Sequence, residues 1–503
     1  MAKKILINNE LWQTRVALLN DNKLQDIYFD TKSKEDLERC YFKGRITKVL
    51  PGIQTAFVDI GHSKSGFLHI TEVDRSLATE KISEFLQLDD EEELSKREFK
   101  SSLDISKIFN EGEDVLVQVI KEPIHEKGAK LTTCFTLPGK FVVLMPNIPQ
   151  IGVSKKIEDR DERTRLKEIV AQCIPEGMGA IARTTAEGRQ QKAIEKDIEV
   201  LLSTWKSVQK KFAKAKPGEK VHEDLSLSLR TVRDHLDDDV EAVITDDKQD
   251  QEKLTSVVQA LTPEFANRIR FYEGTPPLFD KFDIEKQIEK ALQKKVQLKS
   301  GGSLIIESTE AMTVIDVNTG KFTGSNNMED TILRTNLEAA EEIATQLRLR
   351  NIGGLIVIDF IDMANQSNRQ KLSRHFEKNL HERDKYQSVT LKVSEFGIIQ
   401  MTRKRSGKTL VQQLMHVCQT CHGSGAVKST STLSFELLQE FSKEVVRKNI
   451  KDSIVLSIPL KVFDYLIHHE YKSILQLEKK LSIKIVLESN EDLEGNHFQI
   501  TKG

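Results

Sequence analysis

The sequence predicts a multidomain α/β protein that carries one small β-barrel, and three observations predict it. A chain of 503 residues is too long for one compact domain and has room for three or four. Residues 311–318 and 354–362 are two short apolar, β-branched runs that carry Asp316 and Asp359, and a stretch of helical periodicity lies between them. Residues 40–133 read instead as short strands broken by glycine turns, the texture of a small barrel.

The strand-helix-strand unit comes first because the rest of the chain is arranged around it. Residues 328–350 contain neither Pro nor Gly and place Ile332, Leu333, Leu337, Ala340, Ile343, Ala344 and Leu347 on one helical face, with a stop at Gly353 and Gly354. The connection sets the two strands side by side, so Asp316 and Asp359 are expected to meet. Two carboxylates beside an amide, Asn318, suit a hard ion such as Mg²⁺, which takes a few oxygen ligands and leaves room for water and phosphate. Such an ion activates water against a phosphodiester. Strand-end aspartates also cap turns, and the strands alone do not decide between the two roles.

Taken in order, residues 4–29 predict a hairpin that needs a larger sheet. The alternation of strand and helix over residues 222–289 supplies one. In the barrel segment, Phe57 and Phe67 fall on successive strands among Lys43, Arg45, Lys48 and Lys121, an arrangement suited to stacking bases and meeting phosphates. Residues 79–108, rich in Glu, Lys and Ser, form a peripheral insert. Residues 135–219 predict a strand at 141–146, a helix at 161–174, a strand over 177–185 and a lysine-rich helix at 194–216 that presents a solvated face. Arg183 and Thr184 end the second of those strands and could hold a terminal phosphate by a fork and a hydroxyl.

After Asp359, the helix over 368–383 carries Arg369 among several basic residues, and strands at 389–393 and 397–401 complete the central sheet. Lys404 and Arg405 follow. A tail with helices at 435–447 and 466–480 and strands at 453–458 and 483–487 makes a small α/β unit. Between sheet and tail stand Cys418 and Cys421, half the ligand set of a structural zinc. The pair could be a redox couple, a site completed by His416 or His422, or two thiolates shared with a second chain.

Bulk composition narrows the class. Charged residues are 30% and hydrophobic ones 38%, as in ordinary folded proteins, and the formal net charge of -2 means that any polyanion site is local. Five cysteines do not make a disulfide scaffold. No signal-like or membrane-spanning run is present, which predicts a cytoplasmic protein.

The residues that carry chemistry also carry a resemblance. The stretches 41–46 and 49–59, 128–133, 273–279, 309–320, 335–340 and 358–363, together with Cys418 and Cys421, resemble the bacterial ribonuclease E and ribonuclease G family, most like its compact ribonuclease G branch. The resemblance implies an RNase H-like domain in two parts (1–38 and 229–291), interrupted by an S1 RNA-binding barrel (39–132) and a 5′-sensor region (133–228). A DNase I-like catalytic domain (292–413), a zinc link (414–428) and a small dimerisation domain (429–503) follow.

On that pattern Asp316 and Asp359 bind catalytic Mg²⁺, with Asn318 orienting Asp316. Arg183 and Thr184 take a 5′-monophosphate, and Phe57, Phe67 and Lys121 contact RNA, as do Arg369, Lys404 and Arg405. Cys418 and Cys421 share one structural Zn²⁺ across a homodimer, and dimers pair into a tetramer. The implied activity is a Mg²⁺-dependent, single-strand-specific endoribonuclease of rRNA and tRNA maturation and mRNA decay. It leaves 5′-phosphate and 3′-hydroxyl ends and is stimulated by a 5′-monophosphate. The alternative is a non-catalytic RNA-binding assembly factor. Two departures stand out: Gln419 where the family usually has Pro, and the expanded 79–108 segment.

Overall fold

The computed structural model describes residues 2–33, 36–74, 104–123, 128–320, 328–384, 386–405, 407–493 and 495–502. Most of the 79–108 insert therefore lies outside the described residues. The chain divides into two compact units, Met1–Val411 and Gln412–Gly503.

In the first unit the N-terminal strands Lys3–Asn9, Gln13–Asn20 and Lys23–Thr31 join Val240–Thr245 and Ile269–Phe271 in a five-stranded sheet. Lys3–Asn9 pairs in parallel with Val240–Thr245, which is the larger sheet that the hairpin needed. Strands Tyr41–Leu50, Thr55–Asp59, Gly66–His69, Lys130–Thr132 and Asp114–Lys121 close on themselves, because Tyr41–Leu50 pairs with both Thr55–Asp59 and Asp114–Lys121. The result is a closed five-stranded barrel, consistent with an OB/S1-like element, filled by Phe42, Val58, Leu68, Val117 and Leu131. Lys220–His222 adds to its edge.

Between these bodies a four-stranded sheet contains Val142–Met145 and Gly179–Ala182, packed against helices Arg160–Cys173 and Gln191–Lys214. The sequence predicted a strand reaching residue 185. Instead the strand stops at Ala182, Arg183 becomes an extended cap, and Thr184–Ala186 turns as a 3-10 helix.

The central sheet has six strands, in the order Lys295–Gln297, Ser303–Ser308, Met312–Asn318, Gly354–Asp359, Ile398–Arg403 and Ser388–Thr390. Met312–Asn318 and Gly354–Asp359 run parallel, joined by helix Met328–Leu349. That helix and Gln366–Arg383 pack on one face. There Ile315, Ile356, Ile358, Ile399 and Met401 meet Ala340, Ile343, Leu347, Leu372 and Phe376. Each such large side chain stabilises by roughly 1.5–3 kcal/mol on burial. Because strand side chains alternate, Asp316 and Asp359 necessarily take the other face.

The second unit packs helices Thr430–Lys448, Leu460–His469 and Tyr471–Leu481 on a three-stranded sheet of Ile454–Ile458, Ile485–Ser489 and Gln499–Lys502. The single helix expected at 466–480 is two. The break at Glu470 lets Val462 and Leu466 on one helix and Ile474 on the next all reach the core.

Candidate active site and its flanking surfaces

Parallel pairing places Asp316 opposite Asp359, one step beyond the buried pair Ile315 and Ile358. Adjacent strands lie about 4.8 Å apart, so the two carboxylates share one exposed patch. Asn318, two residues on and therefore on the same face, donates from Nδ2 to Asp316 Oδ2 at 2.6 Å. Among the described residues no Lys or Arg forms an ion pair with Asp316, Asp359 or Asp362. The pKa of Asp359 is accordingly raised, first by partial desolvation and then by the charges of Asp316 and Asp362. An uncompensated pair of carboxylates is what a hard cation relieves. Among the described residues no group of three or more His, Cys, Asp or Glu forms a fuller metal cage. A two-carboxylate set fits an ion that keeps water and substrate oxygens in its remaining positions.

Asp362, three residues past Asp359, ends the second apolar run and adds its charge to the pair. The loop that carries it is held by Asn336, fully buried on the crossover helix. Asn336 Nδ2 donates to Ile361 O at 2.8 Å, and Ile361 N donates to Asn336 Oδ1 at 3.1 Å, an imitation of a strand pairing. Glu338, one residue pair further on, accepts from the backbone of Lys299 (2.6 Å) and Ser300 (3.1 Å) ahead of the Ser303–Ser308 strand. Asn336 and Glu338 fall in the 335–340 stretch that carries the resemblance, but their partners leave no signal in spacing, since a polar residue in a helix reads as surface.

On the barrel, Phe57 and Phe67 are direct cross-strand partners, both half-buried. The register continues outward from them: Lys48 opposes Phe57, Lys130 opposes Phe67, and Lys121 opposes Lys130. Two rings with lysines on either side thus form a transverse row. Lys130, which pairs with Glu72, belongs to it and lies in the 128–133 stretch that carries the resemblance.

Arg183 Nη1 donates to Gly139 O at 2.6 Å and to Asp234 Oδ1 at 2.7 Å. The neighbouring Thr185 hydroxyl donates to Lys140 O, and Asp197 accepts the N–H groups of Lys140, Phe141 and Val142 at 2.8–3.1 Å. The strand entry beside Arg183 is therefore fixed from both sides.

The other basic residues part company. Arg403 turns inward, where Nε and Nη2 bind both oxygens of Asp384 at 2.5 and 2.8 Å with no exposure of either side chain. Lys404 and Arg405 are exposed, and Arg405 lies against Gly354, whose positive φ and missing Cβ leave room for the guanidinium. Arg369 is half-buried in the first turns of the Gln366–Arg383 helix. That helix packs on the core face of the sheet rather than over the carboxylates.

In the second unit Cys418 is exposed and Cys421 half-buried on a turn in which His422 N donates to Cys418 O at 2.8 Å. The N–H groups of Cys421 and Thr420 hold the Cys418 thiol below its ordinary range, as a ligating thiolate requires. Neither His416 nor His422 joins the pair in a cluster of three among the described residues.

Comparison with known proteins bears on both units. A family model described as "Ribonuclease E/G family" matches residues 136–406, and one described as "RNase E/G, Thioredoxin-like domain" matches residues 417–503. Ribonuclease G of Escherichia coli K12 is 38% identical over 440 residues, covering 88% of this chain and 87% of that protein. Ribonuclease G of Haemophilus influenzae is 36% identical over 500 residues, covering 99% of both chains. Ribonuclease E of Escherichia coli K12 is 34% identical over 506 residues, which are 99% of this chain but 46% of that protein.

Proposed function

The chain belongs to the ribonuclease E/G family, and we propose that it is a Mg²⁺-dependent, single-strand-specific endoribonuclease. The observation that carries this reading is the opposed pair Asp316 and Asp359, with which no Lys or Arg among the described residues forms an ion pair, and with Asn318 bonded to the first. Asp316 and Asp359 are the carboxylates that would hold the ion, and Asn318 fixes the Asp316 carboxylate by occupying one of its oxygens. The ion, when bound, lowers the pKa of water and offsets phosphoryl charge.

The remaining work falls to side chains. Phe57 and Phe67 stack successive bases, while Lys121, Lys48 and Lys130 meet the backbone, so that a strand without a complementary partner is the form that fits. Lys404 and Arg405, beyond the Gly354 end of the strand, and Arg369, on the core-face helix, stand away from the carboxylates and serve to draw in the phosphate chain at a distance from them. Water attacks phosphorus and the 3′ oxygen leaves, which gives a 3′-hydroxyl upstream and a 5′-phosphate downstream. Arg183 and Thr184 take that new 5′-monophosphate, so the product of one cut favours the next.

The same reading assigns the five-stranded sheet to an RNase H-like domain, the barrel to S1, residues 133–228 to the 5′ sensor and residues 292–413 to a DNase I-like catalytic domain. Cys418 and Cys421 from each of two chains, four thiolates in all, would hold one shared Zn²⁺ and so make a dimer, and dimers pair into a tetramer. The substrates are single-stranded segments of rRNA and tRNA precursors and mRNA, in the cytoplasm. Among the described residues no helix is long and apolar enough to cross a membrane.

The test is end analysis of a short single-stranded RNA incubated with the protein and Mg²⁺ or EDTA. Internal cuts with 5′-phosphate and 3′-hydroxyl ends, abolished by EDTA, are expected. Tight binding without cuts would leave the assembly-factor alternative.

A further inference from the structure

We propose that Asp234 is a positioning residue for the 5′-phosphate pocket, presenting one edge of the Arg183 guanidinium to the ligand by holding the opposite edge. The proposal rests on the sensor reading of Arg183 and Thr184.

Asp234 lies between two guanidiniums. Its Oδ1 accepts from Arg183 Nη1 at 2.7 Å and from Arg233 Nε at 3.1 Å, and its Oδ2 accepts from Arg233 Nη2 at 3.2 Å. Arg233 is buried, its side chain 4% exposed, and is anchored in turn by Nη1 to Pro138 O at 2.8 Å. Three consecutive carbonyls therefore receive three side chains of this cluster: Pro138 takes Arg233, Gly139 takes Arg183, and Lys140 takes the Thr185 hydroxyl. The Asp197 carboxylate holds the N–H groups just beyond them.

Two consequences follow. Nη1 of Arg183 is saturated by Gly139 O and Asp234, while among the described residues no acceptor engages its Nε or Nη2. That leaves the pair of N–H groups on one edge, in the fork geometry that a phosphate accepts. In addition, Arg233 pairs with Asp224 at 3.6 Å as well as with Asp234, so the charge-assisted donors left for a ligand are those on the unengaged edge of the part-buried Arg183, where a dianionic terminal phosphate gains more than a monoanionic internal one. Burial alone would push the Asp234 carboxyl up, yet the two arginines hold it down to about 2, so it stays charged throughout the working range. A guanidinium fixed before the ligand arrives loses less freedom on binding than a free one.

The experiment compares kcat/KM on the same single-stranded RNA with a 5′-monophosphate and with a 5′-hydroxyl for wild type, D234N and D234E, with thermal melting of each. The expected result is a wild-type preference for the monophosphate that falls by about tenfold in D234N, chiefly through KM, and that D234E partly restores. A preference retained in D234N would overturn the positioning role and leave the sensor reading standing. Equal loss on both RNAs in D234N would make Asp234 a structural brace and overturn it too. No preference in wild type would remove the sensor reading and this proposal together.

Discussion

Asp316 and Asp359 are register partners across the parallel pair at the centre of the six-stranded sheet. Their carboxylates end up together because Ile315 and Ile358, the residues before them, are both fully buried against the crossover helix. A one-residue slip of either strand would turn its aspartate into the core, so the apolar pattern that folds the sheet also fixes the acidic pair. Asn318 is the local support of that pair: its amide binds one oxygen of Asp316. Asn318→Ala leaves the fold intact, lowers the apparent Mg²⁺ affinity, and cuts kcat/KM by about tenfold, the effect of a supporting partner rather than of a ligand. A Mg²⁺ titration of cleavage rate checks it, and an unchanged midpoint and rate would deny the amide its role.

The buried Asn336 makes a two-bond clamp on Ile361 and so holds the loop that carries Asp362. Asn336→Ala strands a buried N–H and C=O, which costs about 1–3 kcal/mol each in the worst case. The expected outcome is a clear fall in the urea midpoint together with reduced cleavage. Stability equal to wild type would show that the loop holds itself.

How much of this was legible in the sequence depends on whether the signal was local. The two aspartate-bearing strands and their helix were legible because buried β-branched runs and a gap-free helical face are written in consecutive residues. The strands Lys295–Gln297 and Ser303–Ser308 were not foreseen: three and six residues long around Gly301 and Gly302, they show too little periodicity to stand out from a connecting segment. Arg403 reads as part of an exposed basic run, and only folding brings Asp384 against it. The setting of Arg183 is half legible. Arg183 and Thr184 stand out at the end of an apolar run, but Gly139, Asp197 and Asp234, which build their surroundings, lie 44 residues before, 14 after and 51 after Arg183. Pairing of that kind leaves no trace in spacing.

Lys140 tests the electrostatics of the same region. It is buried with its ammonium donating to Leu236 O at 2.8 Å, and burial, then the nearby Arg189, lower its pKa to about 8. An unfolded lysine titrates near 10.4, so between pH 8 and 10 the unfolded chain holds more protons and stability from this group rises with pH. Lys140→Met removes that dependence. The urea stability of Lys140→Met relative to wild type should therefore be highest near pH 7 and decline as pH approaches 10. A pH-independent difference would contradict the buried charge.

The cysteine pair makes a separate prediction for assembly. Wild type should carry one zinc per two chains, and Cys418→Ser or Cys421→Ser should lose it and lower the molecular mass in solution, because each chain supplies half the thiolates. Metal analysis and native mass spectrometry read both. Unchanged mass with no zinc would move assembly elsewhere in the molecule.

The most direct measurement is the Mg²⁺-dependent rate of internal cleavage of a 5′-monophosphorylated single-stranded RNA by wild type, Asp316→Asn and Asp359→Asn, with RNA binding measured alongside. If the opposed carboxylates form the active site, both variants bind RNA as wild type does, keep its melting temperature and lose at least about a thousandfold in rate. Cleavage that survives in both variants would contradict the account, since the chemistry would then reside away from the pair that the central sheet brings together.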